Sequence, residues 1–505
     1  MKPRSWGVGL GLCCVLSAPA AAQTTRVSVA SGGGQSAGAG AWSRQAAVSA
    51  DGRYVAFESL ALNLVAGDTN GRQDVFVHDR VLNITTRVSV GPAGLQADSG
   101  SETPAISADG RFVAFVSSAS NLVPGDTNSA ADVFVHDRIS GQTTRVSVAT
   151  GGAQAMKSSV MPALTADGRY VAFTSDANTL VAGDTNNQGD IFVHDRVSKV
   201  TTRVSVATGG AQGNLSSHTP VISGTGCLVA FVSAASNLVP GDTNGVEDVF
   251  VHDCATGVTT RVSVATGGGQ SDGPAASSGY PSISADGRYV AFQSLASNLV
   301  ERDTNGASDV FVHDRATTTT TRVSVSTGGD QAADFSTTPS MSGDGRYVAF
   351  VSTATNLVLG DTNGVVDVFL HDRVTSTTRR VSVATGGTQG LFTKDNNGNP
   401  VGSSTPSVSG DGRYVAFESW SFNLVDGDTN AVPDVFLHDA RMYQRQRVNV
   451  STAGVQAEGG AGGNGSPAAS ADGRFLAFGT NAPNLVSGDT NNAYDVFVRD
   501  RVANV

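Results

Sequence analysis

One nine-residue phrase recurs eight times along the chain, and no other feature constrains the fold as strongly. The first copy, Ser-Ala-Asp-Gly-Arg-Tyr-Val-Ala-Phe, covers residues 49–57. Its aspartate returns as Asp109, Asp167, Asp286, Asp344, Asp411 and Asp472, with Thr225 in the fourth copy. A unit of this spacing holds four short strands but is too short to form an independent domain, so the units must stack on one another.

Each unit carries four strand signals separated by turn residues. Strand A leads into Ala-Asp-Gly-Arg, a tight hairpin signal, and strand B follows at residues 54–57. A longer connection ending in Gly-Asp-Thr-Asn-Gly leads to strand C at residues 74–79, and strand D follows at residues 85–90. No segment shows a helical period, so the sequence predicts an all-β protein.

The two ends of the chain predict how the units close into a ring. The strand D phrase Thr-Thr-Arg-Val-Ser-Val already occurs at residues 24–29, before any strand A, whereas the eighth unit stops after its strand C. The N-terminal strand is therefore expected to complete the last blade. This predicts one domain over residues 23–505: an eight-bladed β-propeller of four-stranded antiparallel blades.

The repeat resembles the WD40-like, TolB-type (PD40) propeller repeats of bacterial secreted proteins. The resemblance rests on the Ser-x-Asp-Gly-Arg phrase, on the turn at residues 68–71 and on strand C, which opens and ends with an aspartate at Asp74 and Asp79. It covers nearly all of the chain after residue 22 and implies the propeller fold. It implies no single function, because such blades serve as scaffolds, peptide-binding modules and substrate filters.

The first 22 residues have the form of a secretory signal peptide. Lys2 and Arg4 precede an apolar run at residues 6–16, and small residues end at Ala22, where cleavage is predicted. The run is shorter than the ~20 residues that span a bilayer. The sequence therefore predicts a secreted or periplasmic protein without membrane insertion.

The formal charge of −11, without clusters of lysine or arginine, argues against a nucleic-acid partner. We expect a protein or glycan partner and a monomeric chain.

A triad of two aspartates and one asparagine occurs in every unit, in the pattern Asp-Thr-Asn followed after three residues by Asp. Side chains at i, i+2 and i+6 form part of a calcium cage, which makes Ca²⁺ the one cofactor that the sequence suggests. The alternative is an Asx-type turn, in which Asp and Asn bond nearby amides. The residues are Asp68, Asn70, Asp74; Asp126, Asn128, Asp132; Asp184, Asn186, Asp190; Asp242, Asn244, Asp248; Asp303, Asn305, Asp309; Asp361, Asn363, Asp367; Asp428, Asn430, Asp434; and Asp489, Asn491, Asp495, with Asp426 as an additional acid in the seventh unit.

Seven of the eight histidines occupy one position of strand C, and Arg499 takes that position in the eighth unit. Copies in different blades of a propeller cannot converge on one metal ion, because ligands must lie about 2 Å from it. A structural hydrogen bond is therefore expected. These histidines are His78, His136, His194, His252, His313, His371 and His438.

Cys227 and Cys254 both fall in the fourth unit, where they replace the arginines found at Arg53 and Arg80 in the first. Antiparallel pairing of strands B and C makes them neighbours across one hairpin. In an oxidising compartment this predicts a disulfide, with two unpaired thiols as the alternative.

The B–C and D–A loops should emerge on one face of the disc, because strand direction alternates within a blade. The leading hypothesis is a non-catalytic extracytoplasmic binding or scaffold propeller, which recognises its partner on that face. Calcium bound at the triads would stabilise such a propeller. One alternative is a polysaccharide lyase or hydrolase at the channel mouth, and another is a calcium-organised surface or adhesion protein. No catalytic constellation is recognisable, and the acids that break the repeat are Glu102, Glu247, Glu301 and Glu418.

Overall fold

The computed structural model describes residues 22–38, 40–272, 278–391, 393–394, 400–460 and 467–502. Residues 1–21 of the predicted signal peptide lie outside the described residues. The described chain forms eight four-stranded antiparallel sheets, one short hairpin of Thr393–Lys394 with Pro400–Val401, and one 3-10 turn at Pro92–Gly94. The predicted eight-bladed propeller is confirmed.

Each blade runs from strand A at the centre to strand D at the rim. The innermost strands of successive blades contact one another around the ring. Strand A spans Ser43–Val48, Ser101–Ile106, Ser159–Leu164, Ser217–Ile222, Ser278–Ile283, Ser336–Met341, Ser403–Val408 and Ala468–Ala469. Strand B spans Tyr54–Ser59, Phe112–Ser117, Tyr170–Ser175, Leu228–Ser233, Tyr289–Ser294, Tyr347–Ser352, Tyr414–Ser419 and Phe475–Thr480.

The outer two strands follow the same order. Strand C spans Asp74–Asp79, Asp132–Asp137, Asp190–Asp195, Asp248–Asp253, Asp309–Asp314, Asp367–Asp372, Asp434–Asp439 and Asp495–Asp500. Strand D spans Ile84–Arg87, Gln142–Arg145, Val200–Arg203, Val258–Arg261, Thr319–Arg322, Thr377–Arg380 and Gln444–Arg447, and Gln23–Arg26 in blade 8.

Strand D is shorter than the sequence predicts, ending at Arg87 rather than at Val90. The cause is a side chain that replaces a ladder bond: the Val75 N–H donates to Ser89 Oγ at 3.0 Å instead of to a backbone carbonyl. The N-terminal strand likewise ends at Arg26, and Val496 N–H donates to Ser28 Oγ at 3.0 Å.

Ring closure occurs where the sequence predicts it. Gln23–Arg26 pairs antiparallel with Asp495–Asp500, with Thr25 opposite Val498. The tight A–B turns close a second ring through backbone hydrogen bonds between neighbouring blades, for example from Ala50 N–H to Ala108 O at 2.9 Å. This ring returns from Ala471 N–H to Ala50 O at 3.1 Å, so the first and last blades are in direct contact.

The hydrophobic core lies between blades rather than inside them. Phe57 of strand B and Phe76 of strand C stack at 5.9 Å between ring centroids, and the other seven blades repeat this pair. One buried cluster joins Val75 and Val77 of blade 1 to Phe115 of blade 2. Both faces of strands B and C are thus covered by neighbouring blades, which explains their nearly continuous apolar sequence.

Candidate functional site: the loop face and the channel mouth

The D–A and B–C loops lie on the same face of the disc, as expected, and we call this the loop face. Gln96 of a D–A loop connects them directly. Its Nε2 donates to Thr69 Oγ1 of the B–C loop at 2.9 Å, and its Oε1 accepts from Thr69 N–H at 3.1 Å. The A–B and C–D turns lie on the opposite, turn face.

An arginine occupies the space between the two aspartates of each triad. Arg87 Nη1 lies 3.2 Å from Asp68 Oδ1 and 3.3 Å from Asp74 Oδ2. Asp74 Oδ1 also accepts from Ser89 Oγ at 2.5 Å. All three charged side chains are almost fully buried, so the guanidinium supplies the positive charge that two carboxylates require there.

All eight units repeat this arrangement, with distances of 2.8–3.5 Å from the guanidinium to the two carboxylates. In blade 8 the cation comes from the other end of the chain, because Arg26 contacts Asp489 and Asp495. The bridging residues are Arg26, Arg87, Arg145, Arg203, Arg261, Arg322, Arg380 and Arg447.

The asparagine of each triad forms the Asx turn that was the alternative to calcium. Asn70 Oδ1 accepts from the backbone N–H of Arg72 at 2.9 Å. Its Nδ2 donates to Asp74 Oδ2 at 3.2 Å and to Ala97 O at 2.8 Å. Asparagine is required because this side chain must accept a hydrogen bond through Oδ1 and donate hydrogen bonds through Nδ2. The other seven units contain the same turn.

Burial raises the pKa of several triad aspartates. It raises the pKa of Asp74 to about 6, although the hydrogen bond from Ser89 and the charge of Arg87 both act to lower it. Burial likewise raises the pKa of Asp309 and of Asp361 to about 6.

The seventh unit shows how strict these requirements are. Asn449 replaces the serine, and its amide performs both functions of the hydroxyl: Nδ2 donates to Asp434 Oδ1 and Oδ1 accepts from Val435 N–H. Asp426, the additional acid of that unit, is exposed in the B–C loop and lies outside the network.

The bridging arginine competes with the prediction that the triads bind calcium. Its guanidinium stands between the two carboxylates that a calcium ion would bridge. Like calcium, it brings positive charge to these carboxylates. Within the described ranges no group of three or more His, Cys, Asp or Glu side chains is arranged to hold a metal ion. Calcium binding therefore stays a prediction, and the turn alternative accounts for the invariance of the triads.

Six of the seven strand C histidines bond to a threonine of strand D in their own blade, and that threonine bonds to the preceding blade. His78 Nδ1 lies 2.9 Å from Thr85 Oγ1, and that hydroxyl donates to Val29 O of the preceding blade. Because the only hydroxyl hydrogen of Thr85 is used there, Nδ1 of His78 must be the donor. Burial lowers the pKa of His78 to about 4, so the ring is neutral at physiological pH. The expected structural role is confirmed.

The two cysteines flank strands B and C of blade 4. Cys227 directly precedes strand B and Cys254 directly follows strand C, so both lie at the turn-face end of these strands. The structure joins them in a disulfide, with 5.3 Å between the Cα atoms of Cys227 and Cys254. Backbone pairing continues through the pair, since Cys254 N–H donates to Cys227 O at 2.9 Å.

The blades differ most at one cross-strand pair beside the channel mouth on the loop face. The second residue of strand A faces the fifth residue of strand B, as in the pair of Arg44 with Glu58. The strand A position holds a different residue in each of seven blades: Arg44, Glu102, Val160, His218, Gly279, Thr337 and Ser404. By contrast, strand C reads Asp-Val-Phe-Val-His-Asp with few changes.

Charged residues at the mouth connect neighbouring blades. Glu58 is buried, accepts from Arg44 Nε at 2.8 Å and accepts from Thr103 N–H of the next blade at 3.0 Å. Arg44 also stacks on Trp42, with 4.1 Å from its guanidinium carbon to the ring centroid. Thr103 has a φ of 51° inside a β-bulge, and the equivalent residue has positive φ in five other blades, so this strain belongs to the scaffold.

Two of the acids that break the repeat have distinct surroundings at the mouth. Glu247 Oε1 lies 2.9 Å from His218 Nε2, and both side chains are about two-fifths exposed. Burial raises the pKa of Glu418 to about 7. Glu102 is exposed on strand A, and Glu301 is exposed in a B–C loop.

Sequence reasoning missed the partners of the triads. Arg87 and Gln96 are repeated as faithfully as Asp68 and Asp74, and Ser89 recurs in every unit except the seventh, which was the available signal. Their positions in strand D and in the Gly-rich loop gave no indication of which residues they contact.

No family model and no curated protein matches the chain. Among solved structures, an oligogalacturonate lyase from Vibrio parahaemolyticus is 9% identical with a TM-score of 0.45, covering 95% of this chain and 97% of that one. A prolyl endopeptidase is 13% identical with a TM-score of 0.47, covering 88% of this chain and 55% of that one. TolB from Acinetobacter baumannii is 13% identical with a TM-score of 0.33, covering 94% and 88%. TolB is thus among the structural neighbours, as the repeat phrase predicts, and none of these likenesses carries an inference about activity.

Among the residues that the structure describes, no helix has the length and apolar character of a membrane span.

Proposed function

We propose that this protein is a non-catalytic, extracytoplasmic binding propeller that recognises a protein or a glycan at the channel mouth on its loop face. The observation that carries the proposal is the variation at the second residue of strand A. Seven blades with nearly identical strands B and C have seven different residues at this position, six of them with side chains, around one opening. Variation on an otherwise uniform, rigid scaffold is typical of recognition.

The same variation favours a large, asymmetric partner. Identical blades would present a ring with rotational symmetry, suited to an ion or a symmetric ligand. Here Arg44, Glu102 and His218 provide a guanidinium, a carboxylate and an imidazole ring in different blades. A partner that reads them must span several blades, as a loop of a protein or a glycan chain does.

The disulfide supports the extracytoplasmic location. Disulfides persist in secreted and periplasmic proteins and are rare in the reducing cytosol. Export itself depends on the predicted signal peptide, and secretion assays of the chain with and without residues 1–22 would test it.

The binding proposal is tested by affinity capture from the producer's envelope fraction. The wild-type protein is compared with the mouth variants E102A and H218A and with I139S, which changes an exposed residue of a C–D turn on the turn face. We expect one partner to be retained by the wild type and by I139S and to be depleted by both mouth variants. Equal retention of that partner by all four proteins would contradict the proposal.

A second function, polysaccharide cleavage at the channel mouth, is favoured by one observation. Glu418 has a pKa of about 7, which suits a group that donates and accepts protons near neutral pH. Cleavage of acidic polysaccharides by the wild type and its loss in E418Q would support this alternative. If E418Q cleaves as well as the wild type, Glu418 has no part in the cleavage.

Calcium binding is a separate proposal with two forms. In one, calcium only stabilises the propeller; in the other, it also organises an adhesive surface. Both forms require that excess chelator lowers the melting temperature, because a ligand that binds only the folded state stabilises it. Calcium-dependent self-association in sedimentation would distinguish the adhesive form.

A further inference from the structure

An arginine that follows strand C joins neighbouring blades on the turn face. Arg80 Nη1 donates to Gly52 O of its own A–B turn at 2.8 Å, and its guanidinium lies 4.2 Å from the ring centroid of Phe475 in the preceding blade. Six blades contain this arginine and its bond to the glycine carbonyl: Arg80, Arg138, Arg196, Arg315, Arg373 and Arg501. Five of them stack on an aromatic ring at 4.0–4.2 Å.

Blade 7 lacks this arginine, and a cavity replaces it. Ala440 stands at the arginine position, so the ring of Tyr347 in blade 6 has a guanidinium on one side only, from Arg346 at 4.8 Å. The carbonyl of Gly412 has no hydrogen-bond donor among the described residues. The cavity measures ≈ 60 Å³, several times the ~10–15 Å³ that one water molecule requires.

The cavity wall provides the groups that the missing side chain would contact. It includes Tyr347, Gly412 and the carboxylates of Asp372 and Asp411. Asp372 is paired with Arg346 at 2.7 Å, the same arrangement that surrounds the stacked arginines of other blades. Asp411 is exposed, so the cavity reaches solvent.

One residue of the same wall, His438, has a buried ring nitrogen without a partner in the described part of the chain. His438 is 2% exposed, and its Nδ1 makes no hydrogen bond. In six other blades a threonine takes this role, but blade 7 has Arg445, which donates to Tyr443 O at 2.9 Å and to Ala384 O at 3.3 Å instead. Ala440 directly follows strand C, two residues after His438, and both residues line the cavity.

Three cations also line the cavity, and two of them are already engaged. Arg413 pairs with Asp439 at 2.8 Å, and Arg379 donates to the hydroxyl of Tyr443. Arg441 is exposed at the rim. The ring face, the carbonyl and the histidine nitrogen remain available.

We propose that the cavity between blades 6 and 7 binds a guanidinium group from another molecule. The bound group takes the place that the repeat's own arginine occupies at six other junctions. A planar guanidinium, which stacks on a ring face and donates at its edges, suits Tyr347 together with the acceptors Gly412 O and His438 Nδ1 better than a compact ammonium does. An arginine side chain of a partner polypeptide and a free guanidino compound share this chemistry. The inference concerns the turn face and does not depend on the proposed recognition at the channel mouth.

The test is a titration of ¹⁵N-labelled protein with methylguanidinium at constant ionic strength, followed by the amide signals of Gly412 and Ala440. We expect saturable shifts confined to the junction of blades 6 and 7, with affinity about tenfold higher than for methylammonium. A440R should abolish them, because its own side chain fills the cavity. A440M fills the space without a charge and serves if A440R does not fold.

A matched variant creates the same vacancy elsewhere. Arg373 lies 4.1 Å from the ring centroid of Tyr289, so R373A should melt at a lower temperature and be partly rescued by methylguanidinium. Identical titrations of wild type and A440R, or shifts spread over all blades, would overturn the proposal.

Two further ligands distinguish the sources of the guanidinium. Binding of a capped Gly-Arg-Gly peptide with at least the affinity of methylguanidinium assigns a polypeptide partner. Binding of free arginine with exclusion of the peptide assigns a small molecule.

Discussion

At the scale of residues, the invariant positions of the repeat form one buried network of charged and polar contacts. Arg87 forms ion pairs with both Asp68 and Asp74, and Ser89 and Asn70 donate hydrogen bonds to Asp74. Each member would leave a buried polar or charged partner unsatisfied if it changed alone. Repeated acidic residues therefore indicate an internal ion pair here, where the spacing alone had also allowed a calcium site.

The first prediction concerns this ion pair. R87M should lower the free energy of unfolding by roughly 3 kcal/mol, because two buried carboxylates lose their cation. Urea unfolding followed by circular dichroism measures the change. The control R72M alters an exposed arginine three residues after Thr69 and should cost less than about 0.5 kcal/mol. Equal effects of R87M and R72M would argue against the assigned role.

Chelation distinguishes the ion pair from calcium in the same proteins. With arginine as the cation, we expect the wild-type melting temperature to be unchanged by excess chelator. A substantial fall, together with calcium found by elemental analysis, would restore the calcium interpretation.

The second prediction concerns pH and Glu418. Burial raises its pKa from 4.5 to about 7, so the folded state holds a proton that the unfolded state releases between these values. Stability that is fully present below pH 4.5 is therefore lost as the pH rises to about 7. The difference in unfolding free energy between E418Q and wild type should grow across this window and then level off. Urea unfolding at several pH values measures it, and a constant difference would contradict the assigned pKa.

At the scale of elements, the A–B turn determines how blades pack. Gly110 has a φ of 71°, and a Cβ added there would lie 2.1 Å from Cδ2 of Tyr54 in the preceding blade. The glycine thus serves both the backbone conformation of the hairpin and the contact between blades. The sequence alone showed only the first of these reasons.

The third prediction separates the two reasons within one blade. Gly141, in the C–D turn, has a φ of 70° but nothing within 4 Å of an added Cβ. G141A should cost about 1 kcal/mol from backbone strain alone. G110A should cost roughly 1–3 kcal/mol more, because the ring must move. Thermal unfolding of both variants measures this, and equal costs would show that the ring adapts freely.

At the scale of the whole molecule, the two ends of the chain hold the ring together. Arg26 contacts Asp489 and Asp495, and Val27 is fully buried against blade 8. The same residues that stabilise each blade internally therefore seal the ring when they come from opposite ends of the chain. Because the N-terminal strand pairs with strand C of blade 8, that strand C is not left as an unpaired edge of its sheet.

The fourth prediction tests this seal. A chain beginning at Ala30 should melt at a lower temperature than one beginning at Gln23, because it loses a strand and leaves two buried aspartates unpaired. A synthetic peptide of residues 23–38 should restore much of the difference in trans. The same peptide with R26Q is the control and should restore less. Unchanged melting after truncation would mean that the strand is dispensable.

The sequence by itself determined the number of blades, the order of their strands, the place of closure and the neighbourhood of Cys227 and Cys254. These features follow from repetition, from alternation within single strands and from antiparallel pairing, all of which are local. Only the tertiary structure decided that Arg87 stands between Asp68 and Asp74, that His78 bonds to a threonine that reaches the preceding blade, and that Ala440 leaves a cavity on Tyr347. Those contacts join side chains of different strands or blades. Their partners are selected by packing in three dimensions, because residues 19 positions apart, or at opposite ends of the chain, share no signal in the sequence.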